Sequence, residues 1–167
     1  MKFYDLVRLV GIDKPTAKVT IEKNPEFLEM RNGPGESPLH FFVVENHLES
    51  VKFLRDIGAN VNTVDHFRST PLMHAVSLGY GDMVEFLISA GADIEAKTIN
   101  GDTALSYAVM KNYQGMARRI LGLCKKEITH YFSDLDASEI VRNPNSDIRR
   151  LMIDFGIGDP YGDSVSE

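Results

Sequence analysis

The sequence lacks the features that commit a chain to disulfides, membranes or nucleic acid. Its only cysteine is Cys124, which excludes both an intramolecular disulfide framework and a zinc site built from several cysteines. No stretch approaches the roughly 18 uninterrupted apolar residues of a transmembrane helix, and Asp5 stands where the apolar run of a signal peptide would begin. With 18 Lys and Arg against 24 Asp and Glu, the net charge of −6 disfavours nucleic acid and anionic membranes as partners. We therefore expect a soluble, cytoplasmic protein.

Catalytic signatures are missing as well. The sequence has no glycine-rich phosphate loop, no Gly-x-Ser-x-Gly elbow and no His-Glu-x-x-His motif. His40 and His47 lie seven residues apart, but the polar break at Glu45-Asn46 separates them and disfavours a shared metal site. For Cys124, a buried inert thiol is favoured over a nucleophile. We predict no catalytic residue, no bound metal and no cofactor.

What the chain does have is a globular composition with an uneven distribution of charge. Its 167 residues are 43% hydrophobic, enough to bury a core. Residues 32–96 carry three basic and nine acidic groups, and this net charge of −6 equals that of the whole chain. Residues 159–167 are expected to form an acidic tail. Two interpretations stay open: a solvated face that maintains solubility, or a field that attracts a basic partner.

Internal repetition with a period of 33 residues indicates the architecture. A Ser/Thr-Pro-Leu or Thr-Ala-Leu segment, a Val-x-Phe-Leu segment and a Gly-Ala-Asx segment each recur at that interval. Several independent landmarks therefore agree on one register. The matching segments are 37–40, 70–73 and 103–106; 51–54 and 84–87; and 58–62 and 91–95.

Each landmark has a physical role in a helical unit. Ser37, Thr70 and Thr103 are predicted N-caps, whose hydroxyls accept hydrogen bonds from the first free amides of a helix. A proline follows two of them at the first helical position, where a missing N–H costs nothing. A second helix ends at Gly58, a residue suited to a left-handed C-cap. One unit is thus helix, turn, helix and protruding loop, and because no unit buries its own apolar face, neighbours must stack.

These units resemble ankyrin repeats. The family's Thr-Pro-Leu-His motif is nearly matched at 37–40 and 70–73, whereas the third unit has Cys124-Lys125 where Gly-Ala would fall. The resemblance implies an all-α solenoid of about five repeats with short β-hairpin loops, and a structural hydrogen-bonding role for His40. The predicted single domain, 1–158, comprises an N-terminal cap at 1–32, well-formed repeats at 33–65, 66–98 and 99–131, and a degenerate C-terminal cap at 132–158.

The resemblance also implies that the loop tips and first helices line a concave surface where partners dock. Phe67 and Ile99 are either exposed for a partner or folded back on neighbouring loops, and both readings are open. Arg68 replaces the glycine found at Gly35 and Gly101, which means either backbone strain or an altered turn. The candidate partner-binding residues are His66, Phe67, Arg68, Ser69, Leu78, Tyr80, Ile99, Asn100, Asp102, Met110, Lys111 and Tyr113.

The function implied is that of a non-enzymatic, monomeric interaction module that binds one protein partner through its concave face and loop tips. Within this class we favour a small inhibitor of the toxin-immunity type, with a basic toxin as its partner. One alternative is a eukaryotic-type signalling or scaffold adaptor, which would share the same physics. Another is an enzyme with a site near Cys124–His130.

Overall fold

The computed structural model describes residues 1–123 of the chain. The predicted C-terminal cap, the acidic tail and the segment of Cys124 and His130 lie outside these residues. The described part consists of helix pairs that follow one another along the chain, which confirms the predicted all-α stack of repeats. The helices are α1 (Phe3–Ile12), α2 (Lys14–Lys23), a 3₁₀ helix (Pro25–Glu29), α3 (Pro38–Val44), α4 (Leu48–Asp56), α5 (Pro71–Leu78), α6 (Gly81–Ser89), α7 (Ala104–Met110) and α8 (Gln114–Leu121).

The first helices of the repeats, α3, α5 and α7, begin where the sequence predicts. The side-chain oxygens of Ser37, Thr70 and Thr103 accept hydrogen bonds from the backbone N–H three residues further on, at 3.3, 3.3 and 3.1 Å. Pro38 and Pro71 occupy the first helical position, where the ring removes only an N–H that has no partner inside the helix. Local sequence therefore determines each helix start.

The core is a continuous apolar layer between the repeats. Helix α3 packs on α4 and α5, and α5 packs on α6 and α7. One leucine in the first turn of each first helix is fully buried, as are leucines on the second helices, α4, α6 and α8. Each repeat supplies only one side of this layer, so its stability depends on its neighbours. The buried leucines are Leu39, Leu54, Leu72, Leu87, Leu105 and Leu121.

His40 links one repeat to the next through both ring nitrogens. Nδ1 lies 3.0 Å from the Ser37 hydroxyl and accepts the Ser37 N–H at 3.3 Å, while Nε2 lies 3.0 Å from the carbonyl oxygen of Ser69. Since a carbonyl only accepts, the proton resides on Nε2 and the ring is neutral. Burial lowers the pKa of His40 to about 4. The structural role implied by the resemblance is confirmed by these bonds.

Each loop tip is a turn closed by two backbone hydrogen bonds. One joins the first N–H to the last carbonyl at 2.9–3.1 Å, and the other joins the fourth N–H to the first carbonyl at 3.0–3.1 Å. Neighbouring tips are also joined, because His66 N–H donates to the Pro34 carbonyl at 3.3 Å and Ile99 N–H to the Phe67 carbonyl at 2.9 Å. No β-strand forms within residues 1–123, so the predicted short β-hairpins are not confirmed there. The three tips span 32–36, 65–69 and 98–102.

Leu72→Ala tests the stacked core. The side chain of Leu72 is 0% exposed, so its truncation should lower the free energy of unfolding by about 2–5 kcal/mol in urea denaturation. Leu78→Ala is a matched control on the same helix, where the leucine is 43% exposed and the loss should be about 0.5 kcal/mol. Equal losses for the two variants would contradict the proposed register.

Stability should also fall in mild acid because of His40. Its pKa drops from an ordinary 6.5 to about 4 on folding, so its contribution is complete above pH 6.5, declines as the pH falls, and is gone below about pH 4. The expected loss between pH 7 and pH 5 is about 2 kcal/mol, measured by urea denaturation at both values. His40→Gln should flatten this dependence, while His47→Gln, at an exposed histidine, should not. An unchanged slope in His40→Gln would show that other groups control the acid response.

Candidate functional site

The second and third tips expose large apolar side chains. Phe67 and Ile99 are each 59% exposed. Their backbones are joined by the 2.9 Å hydrogen bond between the two tips, so these side chains stand on neighbouring turns. The structure therefore favours the open reading over the one in which both fold back on neighbouring loops.

A buried carboxylate holds the second tip in shape. Asp65 Oδ1 accepts the N–H groups of Phe67 and Ser69, both at 2.8 Å. Its other oxygen, Oδ2, lies 3.0 Å from His74 Nε2. Because Asp65 is buried, these bonds are shielded from water and fix the position from which the Phe67 side chain projects.

The third tip uses a hydroxyl for the same purpose. Thr98 Oγ1 accepts the N–H groups of Asn100 and Asp102, at 3.3 and 3.1 Å. Asn100 is exposed at the tip, whereas Asp102 is half-buried. The side chains beside Ile99 are thus carried by a turn with internal hydrogen bonds.

Arg68 adopts a left-handed backbone conformation. Its φ is 61°, and the corresponding glycines, Gly35 and Gly101, have φ of 85° and 89°. The turn therefore keeps the left-handed conformation of its neighbours, and a residue with a Cβ bears a cost of roughly 1 kcal/mol there. The Arg68 side chain is exposed.

The ends of the first helices add further exposed groups. Leu78 is 43% exposed at the end of α5, and Met110 is 45% exposed at the end of α7. Lys111, the C-cap of α7, is exposed too. We use the term tip surface for Phe67, Arg68, Ile99 and Asn100 together with Leu78, Met110 and Lys111.

An aromatic row lies in the first turn of each first helix, and the sequence analysis missed it. Phe41, His74 and Tyr107 are half-buried and follow one another at the 33-residue period. Burial raises the pKa of the Tyr107 phenol, and the negative charges of Asp102 and Asp65 raise it further. The signal in the sequence was the fourth residue after each cap, where an aromatic ring recurs at the 33-residue period.

Three predicted site residues are held within the stack instead. Ser69 is only 9% exposed. The half-buried Tyr80 packs against the core, and its hydroxyl donates to the Val44 carbonyl at 3.4 Å. Tyr113 covers Gly79, where an added Cβ would lie 3.0 Å from the tyrosine hydroxyl. These residues therefore contribute to packing within the stack more than to its exposed surface.

The acidic surplus of residues 32–96 lies mostly away from the tips. Six of its nine carboxylates belong to the second helices α4 and α6 or to the return loops that follow them, at 57–64 and 90–97. Among the others, Asp65 is buried and Glu36 is half-buried, so Glu45, at the end of α3, is the exposed one. The six are Glu49, Asp56, Asp82, Glu85, Asp93 and Glu95.

The four histidines of the described part occupy different environments. His40 is buried and His74 is half-buried beside Asp65, while His47 and His66 are exposed. Within residues 1–123, no three His, Cys, Asp or Glu side chains gather so that they could hold a metal ion. None of the helices in this range is long and apolar enough to cross a bilayer.

Comparison with known proteins supports the repeat assignment. The sequence pattern of the family described as ankyrin repeats (3 copies) matches residues 8–98 and 58–131. A putative ankyrin repeat protein of Rickettsia bellii is 37% identical over 99 residues, 58% of this chain and 54% of that protein. Protein phosphatase 1 regulatory subunit 27 of Homo sapiens is 43% identical over 68 residues, 41% of this chain and 44% of that protein.

A longer and more distant match is the probable E3 ubiquitin-protein ligase XBOS32 of Oryza sativa. It is 25% identical over 138 residues, which are 81% of this chain but 28% of that protein. The chain thus spans between about a quarter and about half of the length of these three relatives. The family's sequence pattern matches most of the chain, and its described part consists of the capped helix pairs given above. The chain therefore belongs to the ankyrin-repeat family, whose members are generally non-enzymatic protein–protein interaction modules.

Proposed function

We propose that the protein binds one protein partner through its concave face and the tip surface. It acts by covering a functional region of that partner, as an inhibitor or a toxin-immunity protein does. The protein works as a monomer in the cytoplasm, since this mode of action requires neither a second copy nor a membrane.

The observation that carries the proposal is the exposure of Phe67 and Ile99. Loop tips need no large apolar side chains for folding, and water contact with these side chains is unfavourable. Covering them with a partner removes that penalty, and buried aromatic side chains contribute strongly to binding at interface centres. The hydrogen-bonded turns beneath them keep both side chains in place before the partner arrives, which lowers the entropic cost of binding.

The second candidate is an adaptor or regulatory subunit of the eukaryotic type. The similarity to protein phosphatase 1 regulatory subunit 27 favours it, because that name describes regulation through binding. This second candidate uses the same tip surface and differs from the first in the identity of the partner. The enzyme hypothesis concerns Cys124–His130, which lie outside the described residues.

The acidic surplus does not extend the proposal to a basic partner at the tips. Its carboxylates lie mainly on the second helices and the return loops. A basic partner attracted by them would meet the second helices and the return loops rather than the exposed side chains of the tips.

Selection from a phage-displayed library of random peptides against the full chain tests the proposal. Recovered peptides should bind the Phe67→Ala and Ile99→Ala variants about tenfold more weakly than the wild type, because each variant loses apolar contact worth about 1.4 kcal/mol. Titration calorimetry measures the affinities, and thermal unfolding should change little for either variant.

Ile12→Ala is the matched control for Ile99→Ala. Ile12 is 74% exposed at the end of α1, away from the tips, so its truncation should leave peptide affinity unchanged. Peptides that bind Phe67→Ala and Ile99→Ala as tightly as the wild type would overturn the proposal. Unfolding of both tip variants would show that these side chains serve stability instead.

A further inference from the structure

We infer that the partner is acidic where it meets the tip surface, with Arg68 binding one of its carboxylates beside apolar side chains that cover Phe67 and Ile99. The inference rests on the proposed function and identifies the chemistry of the partner at that same site. It replaces the basic partner that the net charge of the chain suggested with an acidic one.

The exposed charge at the second and third tips is positive. Arg68 is exposed next to Phe67, whereas the acids of these tips, Asp65 and Asp102, are buried and half-buried. Within residues 1–123, no Asp or Glu oxygen lies within 4.0 Å of the Arg68 guanidinium. Lys111 adds a further exposed cation at the end of α7.

The carboxylates at the tips are already used by the tips themselves. Asp65 is buried and accepts two backbone N–H groups and the His74 ring. Glu36 Oε2 accepts from the side-chain amide of Asn32 at 2.6 Å, and Asp102 Oδ2 lies 3.5 Å from the Thr98 hydroxyl. Both of these acids are half-buried. The exposed charge of the second and third tips is therefore the guanidinium of Arg68 rather than a carboxylate.

The backbone at Arg68 provides a second, independent argument. A glycine satisfies this left-handed turn at Gly35 and Gly101, yet Arg68 occupies it with φ 61°. Within residues 1–123, the arginine makes no side-chain hydrogen bond or ion pair that would offset the free-energy cost of this backbone conformation. Strained backbone is enriched at binding and active sites, so the conformation of Arg68 is consistent with a role in binding.

The chemistry of the arginine indicates a carboxylate. A guanidinium presents parallel N–H groups that match two carboxylate oxygens, and the pairing is strongest where neighbouring apolar contact excludes water. Phe67 and Ile99 supply that apolar contact on adjacent turns. A nucleic acid is disfavoured, because binding a polyphosphate requires several clustered cations, whereas Arg68 is the exposed cation of these two tips.

The test is the charge of the peptides that the full chain selects from a random phage-displayed library. Peptides that depend on Phe67 and Ile99 should combine Asp or Glu with apolar residues, and their affinity should fall as salt is raised. Arg68→Gly should weaken them about tenfold, whereas Arg68→Lys, which keeps the charge, should weaken them less. Arg55→Ala is the control, because Arg55 is an exposed arginine on the second helix α4.

Arg68→Gly also separates binding from folding. Because glycine relieves the left-handed turn, its thermal midpoint should equal or exceed that of the wild type while its affinity falls. Neutral or basic tip-dependent peptides, or acidic ones that bind Arg68→Gly unchanged, would overturn the inference and leave the proposed function standing. Competition by a single-stranded oligonucleotide would overturn it by making phosphate the ligand. Recovery of no peptide that depends on Phe67 or Ile99 would remove the proposed function and the inference together.

Discussion

The stacking of each helix pair on the next is the interaction on which the rest of the molecule depends. A helix pair of this size exposes an apolar face that it cannot cover, and the layer of buried leucines forms only when neighbours supply the other side. This arrangement leaves the loop tips outside the core. The tips are therefore free to carry side chains chosen for purposes other than packing, and Phe67 and Ile99 are the clearest examples.

Hydrogen bonds between repeats turn this stack into a defined surface. At the tips, the Phe67 carbonyl accepts from Ile99 N–H, and below them His40 reaches the Ser69 carbonyl. On the return loops, the Asn62 side chain donates to the Gly91 carbonyl at 3.1 Å and accepts the N–H of Asp93 at 2.7 Å. Hydrogen bonds at the tips, at His40 and on the return loops together fix the spacing of neighbouring repeats, so the tip surface is largely preorganised for a partner.

Much of the fold could be predicted because its determinants are local. The caps at Ser37, Thr70 and Thr103 require only a hydroxyl and the helix that follows, and both are readable in the sequence. The β-hairpins were not confirmed, because the backbone hydrogen bonds within each tip span only five residues, too few to form paired strands. The conformation of Arg68 could not be predicted either, since the sequence alone does not reveal whether a turn keeps its φ when glycine is replaced.

The site was harder to predict than the fold, because exposure depends on the neighbouring repeat. Tyr80 and Tyr113 occupy equivalent positions and were expected at the surface. The structure places each against the preceding repeat, one at the Val44 carbonyl and the other over Gly79. The aromatic row through Tyr107 was missed for a different reason, because the sequence analysis followed the caps and the loop tips and gave no role to the fourth residue after each cap.

The net charge of the chain likewise does not reveal which charges its surface presents at a given place. A net charge of −6 describes the field far from the molecule, and salt screens that field over about 8 Å at physiological ionic strength. At contact distance the nearest groups dominate, and at the tip surface the exposed charged residue adjacent to Phe67 in the sequence is Arg68. The acidic outer helices and the cationic tip can therefore serve different ends, solubility on one face and recognition on the other. The composition alone could not have separated them, because the sum of the charges is the same wherever the stack places them.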